Sequence, residues 1–596
     1  MKITEDLLIG RRAVDELKEC SLIQDWKWDE NFNVWYFKFS LLNKNKGDFP
    51  AITNWCLTAE GNYPNGKIGI YPSVNHGITN TYFHQSNNGL TSKNNIWREG
   101  KLCLEVQGVA EGIFSNDEPK DSYARILWHL TRAVNWINKA STGTLIGNNQ
   151  WLELPDFKTN NFYKVISSED IVSEMIWNDC EYNSGYANMY ILKDDILIIK
   201  EYMSRDGNVA NTYKWGKSIE EEIASQEPIK AIWIRMKSLP VINGWQAPNT
   251  WYELKKALKE QGMDLIKMIR KLSPNIRDKK RHFLLIGFPF QEKVGQDRYI
   301  YQWKSIFLPT LSFGEGYANG FRKNELGWFE NDKRTIYRDE NRLEWTRDEN
   351  WSAYSSLLRG RYDTKVRQSK YLIIGAGTLS AYLCEQLVRN GVEDITILDD
   401  DFYKIGNNSR HILHFKDVDS IKSEALAKML NNINPHARIK SIKSKLDVNN
   451  ITILNQYNVI IDCSANDEVI FNISEHKQNC KGIIFSVSFG FKADNLYLYC
   501  CDMQNLIYRD YKNFFFEEIN KDRNNMDFQE LPQDGIGCWS PAFPAFTSDV
   551  MLASATATSI INNYITNNDN KTRGFIYKKK YNKDGYFIGY EESNAI

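Results

Sequence analysis

Tyr371-Leu-Ile-Ile374-Gly375-Ala-Gly377-Thr-Leu-Ser380 is the stretch that decides the fold. Its first four residues form a short apolar run suited to a buried parallel strand, and the run breaks into a glycine turn. Leu379, Leu383 and Leu387 come next at four-residue spacing, which predicts a helix with one apolar face. A strand, a glycine turn and a helix start together aim backbone N–H groups and a positive helix end at phosphate. The turn alone also fits a nicotinamide or flavin site, with Asp399 at the end of the next strand, Ile395 to Leu398, on a ribose hydroxyl. The residues beyond Asp399, Asp400 and Asp401 point elsewhere. Asn407, Arg410 and then Lys422, on a helix predicted to end near Asn434-Pro435, form a basic series that a dinucleotide oxidoreductase does not generally need. An enzyme that attacks an α-phosphate does need it, because two anions must approach each other.

The ordered set Gly375, Gly377, Asp399, Asp401, Asn407, Arg410, Lys422 and Asn434-Pro435 resembles the adenylation domain of the ThiF and ubiquitin-activating-enzyme superfamily. The resemblance implies that ATP lies across the turn and that a protein's C-terminal carboxylate attacks its α-phosphate, giving an acyl adenylate and pyrophosphate. Asp399 would then orient the ribose, Asn407 would donate to phosphate, and Arg410 and Lys422 would neutralise phosphate oxygens. A magnesium ion held by acidic side chains would bridge them. The next strand, Val459 to Ile461, ends in Asp462-Cys-Ser-Ala465-Asn466, where many relatives carry an aspartate at the position of Ala465. Asp462, Asp467 and Asp401 therefore stand as candidate magnesium ligands, Asp462 first. No cysteine pair has zinc-knuckle spacing, so no structural zinc is expected.

At 596 residues the chain exceeds what one core usually supports. The expected division is a ubiquitin-conjugating-like α+β domain at 1–150, an α+β connector at 151–350 and an α/β Rossmann-like adenylation domain at 351–596. With 42% hydrophobic and 25% charged residues, the composition is that of an ordinary globular protein rather than a disordered one. A formal net charge of -1 gives no global attraction to nucleic acid or to an anionic membrane, and neither is an expected partner. The chain shows no signal-peptide pattern and no membrane-spanning run, and its ten cysteines are scattered, so a cytoplasmic location with reduced thiols is expected.

Two cysteines stand apart by context. Cys538 lies in Gly535-Ile-Gly537-Cys538-Trp-Ser-Pro541, a loop signature just before a helix predicted over Phe546 to Ile565. A helix start favours a thiolate. Cys538 resembles the loop cysteine that accepts the acyl group as a thioester in protein-activating relatives. Near the other end, Gly100-Lys-Leu-Cys103-Leu104 is similar to the Gly-X-X-Cys-Leu segment of ubiquitin-conjugating enzymes. Upstream, Thr81 to Asn87 is similar to the strand and His-Pro-Asn region of that fold, although the element reads His84-Gln85 here. Trp128 and Trp136 downstream resemble its closing helices. The resemblances together imply a relay of adenylate, thioester on Cys538, thioester on Cys103, and amide on a target amine, with Lys101 assisting the Cys103 thiolate.

Between these ends no catalytic constellation is evident. His282 to Ile286 and Tyr299 to Trp303 predict a hairpin joined through Gln291 to Asp297, and the mixed charge of Asn331 to Asn350 predicts a tether or exposed helix. The connector is expected to hold the two thiol sites apart. Relatives are usually dimers in which an arginine before the glycine turn reaches the partner's nucleotide, so a homodimer using Arg359 or Arg361 is implied. The order conjugating-like, connector, activating-like is similar to the fusion enzyme of bacterial CBASS anti-phage operons. That resemblance implies a cGAS-like nucleotidyltransferase as the acyl donor; a ubiquitin-like protein is the alternative donor, and a sulfur-carrier adenylyltransferase the alternative activity.

Overall fold

Placement in the computed structural model is described for residues 2–43, 49–90, 95–104, 118–314, 320–477, 480–524, 533–534, 540–541 and 544–595. Internal contacts divide the chain into two units, 1–212 with 228–350 and 213–227 with 351–596. Cys538 falls outside the described residues. Among the described residues no helix is long and apolar enough to cross a membrane.

The first unit begins with helix α1 (Glu5–Arg11) and an antiparallel meander of β1 (Cys20–Asp29), β2 (Val34–Leu42), β3 (Ile52–Glu60) and β4 (Ile68–Pro72), paired in that order. Its core face is closed by α2 (Ser122–Thr142), which starts where the Asp121 carboxylate accepts from Tyr123 and Ala124 N–H and stops at Gly143 with φ 69°. Ile126, Leu130, Ala133, Trp136 and Ile137 recur at helical spacing and are fully buried against the meander, with Trp136 edge-on to Trp55 at 6.1 Å.

An eight-stranded sheet comes next in the same unit, ordered β5 (Thr159–Ser167), β12 (Trp345–Asn350), β11 (Ile300–Leu308), β10 (His282–Phe290), β9 (Ile229–Arg235), β6 (Ser184–Lys193), β7 (Ile196–Ser204) and β8 (Val209–Thr212). β5 also pairs with β7, so the sheet closes on itself. Trp177, Tyr202, Trp233 and Trp303 pack within it, and the fully buried Glu169 accepts from the indoles of Trp177 at 2.9 Å and Trp303 at 2.7 Å. The predicted hairpin is present: β10 and β11 are antiparallel neighbours from His282↔Leu308 to Phe290↔Ile300.

In place of the expected tether or exposed helix, Asn331 to Asn350 holds the end of a helix with a buried aspartate and then a strand. β12 lies between β5 and β11, with Trp345 buried and its indole donating to Pro248 O at 2.7 Å. Its charges are answered by residues remote in sequence, Glu349 by Lys164 at 2.6 Å and Arg347 by Asp195 at 3.0 Å. Asp332, on a helix spanning Glu325–Thr335, is fully buried against Arg277 at 2.6 Å. Charge density alone could not show that these groups are paired.

The second unit is the expected α/β layer. Its sheet runs β15 (Arg438–Ile442), β14 (Asp394–Leu398), β13 (Lys370–Ile374), β16 (Val459–Asp462), β17 (Ile483–Phe489), β18 (Asn495–Asp502), β21 (Arg573–Tyr581) and β22 (Phe587–Ala595). The first five strands are parallel and the last three antiparallel. Two-residue strands β19 (Gln533–Asp534) and β20 (Ser540–Pro541) pair separately. Strand order reverses on either side of β13, and in such sheets ligands bind at the carboxyl ends beside that switch. Helices Thr378–Arg389 and Thr547–Thr566 cover one face and pack together, with Ser554 Oγ donating to Leu379 O at 3.1 Å. The short segment 213–227 belongs to this unit because Trp215 stacks on His436 at 5.5 Å and Gly216 N–H donates to Pro435 O at 2.6 Å. A side chain at Gly216 would meet Ala437 O at 2.6 Å, so only glycine permits that approach.

Candidate active site

Two clefts gather the candidate residues, one in each unit. At the β13 switch point a cleft of about 410 Å³ is lined by Gly377, Thr378, Asn407, Arg410, His411 and Lys422 on one side and by Cys463, Ala465, Val487 and Phe489 on the other. The two glycines do different work. Gly375 has φ +94°, and a Cβ there would lie 3.3 Å from the Cys463 backbone, so this glycine lets the turn pass beneath β16. Gly377 has φ -76° and is the N-cap of helix Thr378–Arg389, and a Cβ there would meet nothing within 4 Å. Space is left open above a helix N-terminus, where a phosphate fits.

Asp399 ties the turn to the loop beyond it, accepting from Ala376 N–H at 2.6 Å and from Asp401 N–H at 2.7 Å. Burial pushes its carboxyl up, against the lowering effect of those two donors. Lys422 opens its helix at the first position; its N–H donates to Asp401 O at 2.9 Å and its ammonium lies 3.1 Å from the Asp401 carboxylate. Arg410 comes directly after the 3-10 turn Ile405–Ser409, where its N–H and that of His411 both donate to Asn407 O. Partial burial lowers the Arg410 pKa without threatening its charge. Thr547 Oγ1 donates to Ser409 O at 2.8 Å, fastening this turn to the start of helix Thr547–Thr566.

His411 was not singled out from sequence. Leu413 N–H donates to its Nδ1 at 3.2 Å, so Nε2 carries the hydrogen and donates to Ala376 O at 3.1 Å. Burial drives its pKa down to about 4, which keeps the ring neutral and the glycine turn pinned. The only sequence signal was its place directly after Arg410.

The expectation of a magnesium ligand at Asp462 does not fit this geometry. Asp462 is 2% exposed; one oxygen accepts from Ser464 N–H and Oγ at 3.0 and 2.6 Å, the other from Ser486 Oγ at 3.2 Å. Desolvation raises its pKa, the bonds from Ser464 hold its own turn, and it is not among the described residues that line the cleft. Asp467 is ion-paired with Lys512. Asp399, Asp400 and Asp401 can place one carboxylate oxygen each within 4.8 Å of one another, although none of the three lines the cleft.

The second cleft, about 290 Å³, carries Cys103 with Ile68, Ile70, Ser86, Lys101 and His129. The cysteine segment is stitched in place. Leu102 N–H donates to Ile70 O, Cys103 N–H to His84 O at 2.9 Å and Ser86 N–H to Lys101 O at 2.9 Å. On the far side the buried Arg132, stacked on Trp128 at 4.0 Å, donates to Leu104 O at 2.6 Å. Gly100 is required because a Cβ would lie 2.7 Å from Asn88 Oδ1 and from Gln85 Nε2. Cys103 is the one exposed cysteine among the described residues. Burial raises Cys20, Cys56 and Cys384 to about 12, which makes them inert. His84 and Asn87 do not line the cleft: the His84 ring lies 3.3 Å from Glu153, and Asn87, 1% exposed, donates to Asp156 O at 2.8 Å.

A parallel sheet with a glycine turn, an open helix N-terminus and converging Arg410 and Lys422 defines an ATP-using adenylating enzyme. Residues 355–578 match the ThiF family, and residues 143–351 match the Cap2 central linker domain. Over 516 residues the chain is 30% identical to the ATP-dependent ubiquitin transferase-like protein Cap2 of Enterobacter hormaechei subsp. hoffmannii, covering 83% of each chain. The chain belongs to this Cap2 family of ATP-dependent ubiquitin transferase-like enzymes. A shorter match, 33% identical over 132 residues, joins it to the adenylyltransferase and sulfurtransferase UBA4 of Debaryomyces hansenii, covering 22% of this chain and 29% of that one. Among solved structures, E. coli MccB with ATP superposes with a TM-score of 0.27 at 17% identity, over 39% of this chain and 64% of that one, too weakly to carry weight.

Proposed function

We propose that this enzyme activates the C-terminal carboxylate of a protein, carries it as a thioester and ligates it to a target amine. Residues 1–150 serve as the conjugating-like domain, 151–350 as the connector and 351–596 as the adenylation domain. Gly375 and Gly377 cradle the nucleotide, Asp399 orients its ribose and Asn407 donates to phosphate. Arg410 and Lys422 neutralise charge as the carboxylate bonds to the α-phosphorus and pyrophosphate leaves. Lys422 would release Asp401 on binding, freeing that carboxylate to help hold magnesium, which would supply further charge neutralisation. The Cys538 thiolate then displaces AMP, and Cys103 displaces Cys538, so each step exchanges one activated acyl bond for another.

The observation that carries this reading is the convergence of Arg410 and Lys422 on the space left open at Gly377. The exposure of Cys103 at the rim of a separate cleft supports the second half. A cGAS-like nucleotidyltransferase is the donor this reading prefers, in anti-phage defence, with a ubiquitin-like protein as the other donor of the same chemistry. The enzyme acts as a homodimer in the cytoplasm. ATP–pyrophosphate exchange in the presence of each donor tests the adenylation step. Arg410→Ala should reduce exchange at least a hundredfold, and undiminished exchange in that variant would remove the arginine from the site.

A further inference from the structure

Among the described residues that line the cleft around Cys103, one is a side chain that rests as a neutral base. Of its described lining residues only Lys101, Cys103 and His129 are ionisable. His129 sits on α2 and is 8% exposed, yet it opens on the cleft. Its Nε2 lies 2.6 Å from Glu118 Oε1, and the same carboxylate oxygen accepts from Arg125 Nε at 2.6 Å. With Nε2–H donating to a carboxylate, the lone pair of the neutral ring is on Nδ1. Among the described residues no hydrogen bond is assigned to that nitrogen.

Resting on the reading of Cys103 as an acyl acceptor, we propose that His129, oriented by Glu118, takes the proton that Cys103 Sγ gives up when it attacks an incoming protein thioester. The Sγ–H bond breaks toward the imidazole, and the sulfur pair forms the new bond to the acyl carbon. The donor's C–S bond breaks, and its thiolate leaves with the proton held by the ring. No other reactant is needed. A loop cysteine and a helix histidine share one cleft, and the glutamate that precedes the helix holds the histidine, which are the parts a nucleophile, a base and an orienting acid require.

The surroundings suit that task. Burial and the nearby Arg125 and Lys101 cations disfavour the imidazolium, so the ring rests neutral and ready to accept. Glu118 opposes them and stabilises the charged ring while it exists. Its own carboxyl is held at about 2, first by the hydrogen bond from His129, so it stays ionised throughout. His84 of the conjugating-type pattern does not line this cleft, and among its described lining residues His129 is the histidine.

The test is the pH dependence of Cys103 alkylation by iodoacetamide in the full chain, read peptide by peptide by mass spectrometry from pH 5.5 to 9, with half-buried Cys180 as internal reference. His129→Gln should slow Cys103 alkylation about tenfold at pH 7 and remove the part of its pH profile set by the imidazole, leaving that of the thiol alone. Glu118→Gln, which keeps a polar partner for the ring, should lose several-fold, with the Cys180 rate unchanged in both. Cys103 profiles in these variants that superimpose on the wild type would overturn the proposal. If His129→Gln does not fold, Glu118→Gln decides alone. The probe needs neither ATP nor an acyl donor, so failure here is distinct from failure of the relay itself.

Discussion

Gly377→Asp separates folding from nucleotide binding because the structure gives the two effects opposite signs. Gly377 caps helix Thr378–Arg389 in extended backbone with φ -76° and ψ -177°, and no side chain now supplies a cap hydrogen bond. Aspartate is among the best residues at such a position and gains a few tenths of a kcal/mol over glycine, with about 0.3–1 kcal/mol more from the helix dipole. A Cβ there meets nothing within 4 Å, so no steric penalty offsets the gain. The melting temperature of the adenylation unit should hold or rise by about 1–2 °C. The same carboxylate would occupy the space reserved for phosphate. At about 4 Å two unit charges repel by roughly 4 kcal/mol at an effective dielectric of 20. ATP affinity should therefore fall at least a hundredfold, about 2.7 kcal/mol. Calorimetric titration with ATP and a thermal melt of the same sample measure both. Gly375→Ala is the converse control, because φ +94° and a 3.3 Å approach to Cys463 make it destabilising by about 1–3 kcal/mol. A Gly377→Asp enzyme that binds ATP normally, or that melts several degrees low, would refute the placement of phosphate at this helix start.

Lys422→Ala should abolish pyrophosphate exchange while shifting stability by less than about 1 kcal/mol, since its partner Asp401 is largely exposed; a large stability loss would mark the pair as structural. His411 gains its proton near pH 6.5 when unfolded but only near pH 4 when folded. Its contribution is complete above pH 6.5 and is lost progressively as the pH falls toward 4, by at most about 3 kcal/mol. His411→Gln keeps an N–H donor for Ala376 O and should flatten that acid limb in pH-dependent melts. Trp215→Ala should cost about 3–5 kcal/mol, read as a lower melt of the adenylation unit, because the buried indole stacks on His436.

Local signals made the adenylation core readable: four apolar residues, a glycine turn and leucines at helical spacing describe β13, its turn and the next helix almost residue for residue. The Asn407, Arg410 and Lys422 series was readable because short loops bring those residues to one cleft. Long-range pairing hid the rest. β12 reads as a charged tether until Lys164 and Asp195 are seen beside it. The docking of 213–227 onto Pro435 to Ala437 leaves no periodic trace, and a block reading of 151–350 passes over it. His129 and Arg132 are ordinary residues of an amphipathic helix until the fold opens the first on the cleft of Cys103 and bonds the second to Leu104 O. The metal assignment to Asp462 could not anticipate its burial or its serine hydrogen bonds, which no local pattern shows.

Incubation with ATP, magnesium and a candidate donor protein, resolved on a nonreducing gel, bears most directly on the two-thiol relay. The wild type should give a band that collapses with thiol reductant. Cys103→Ala should retain charging at Cys538, and Cys538→Ala should leave Cys103 uncharged. Charging of Cys103 that persists undiminished in Cys538→Ala, or ligation that survives Cys103→Ala, would contradict transfer between these two sulfurs.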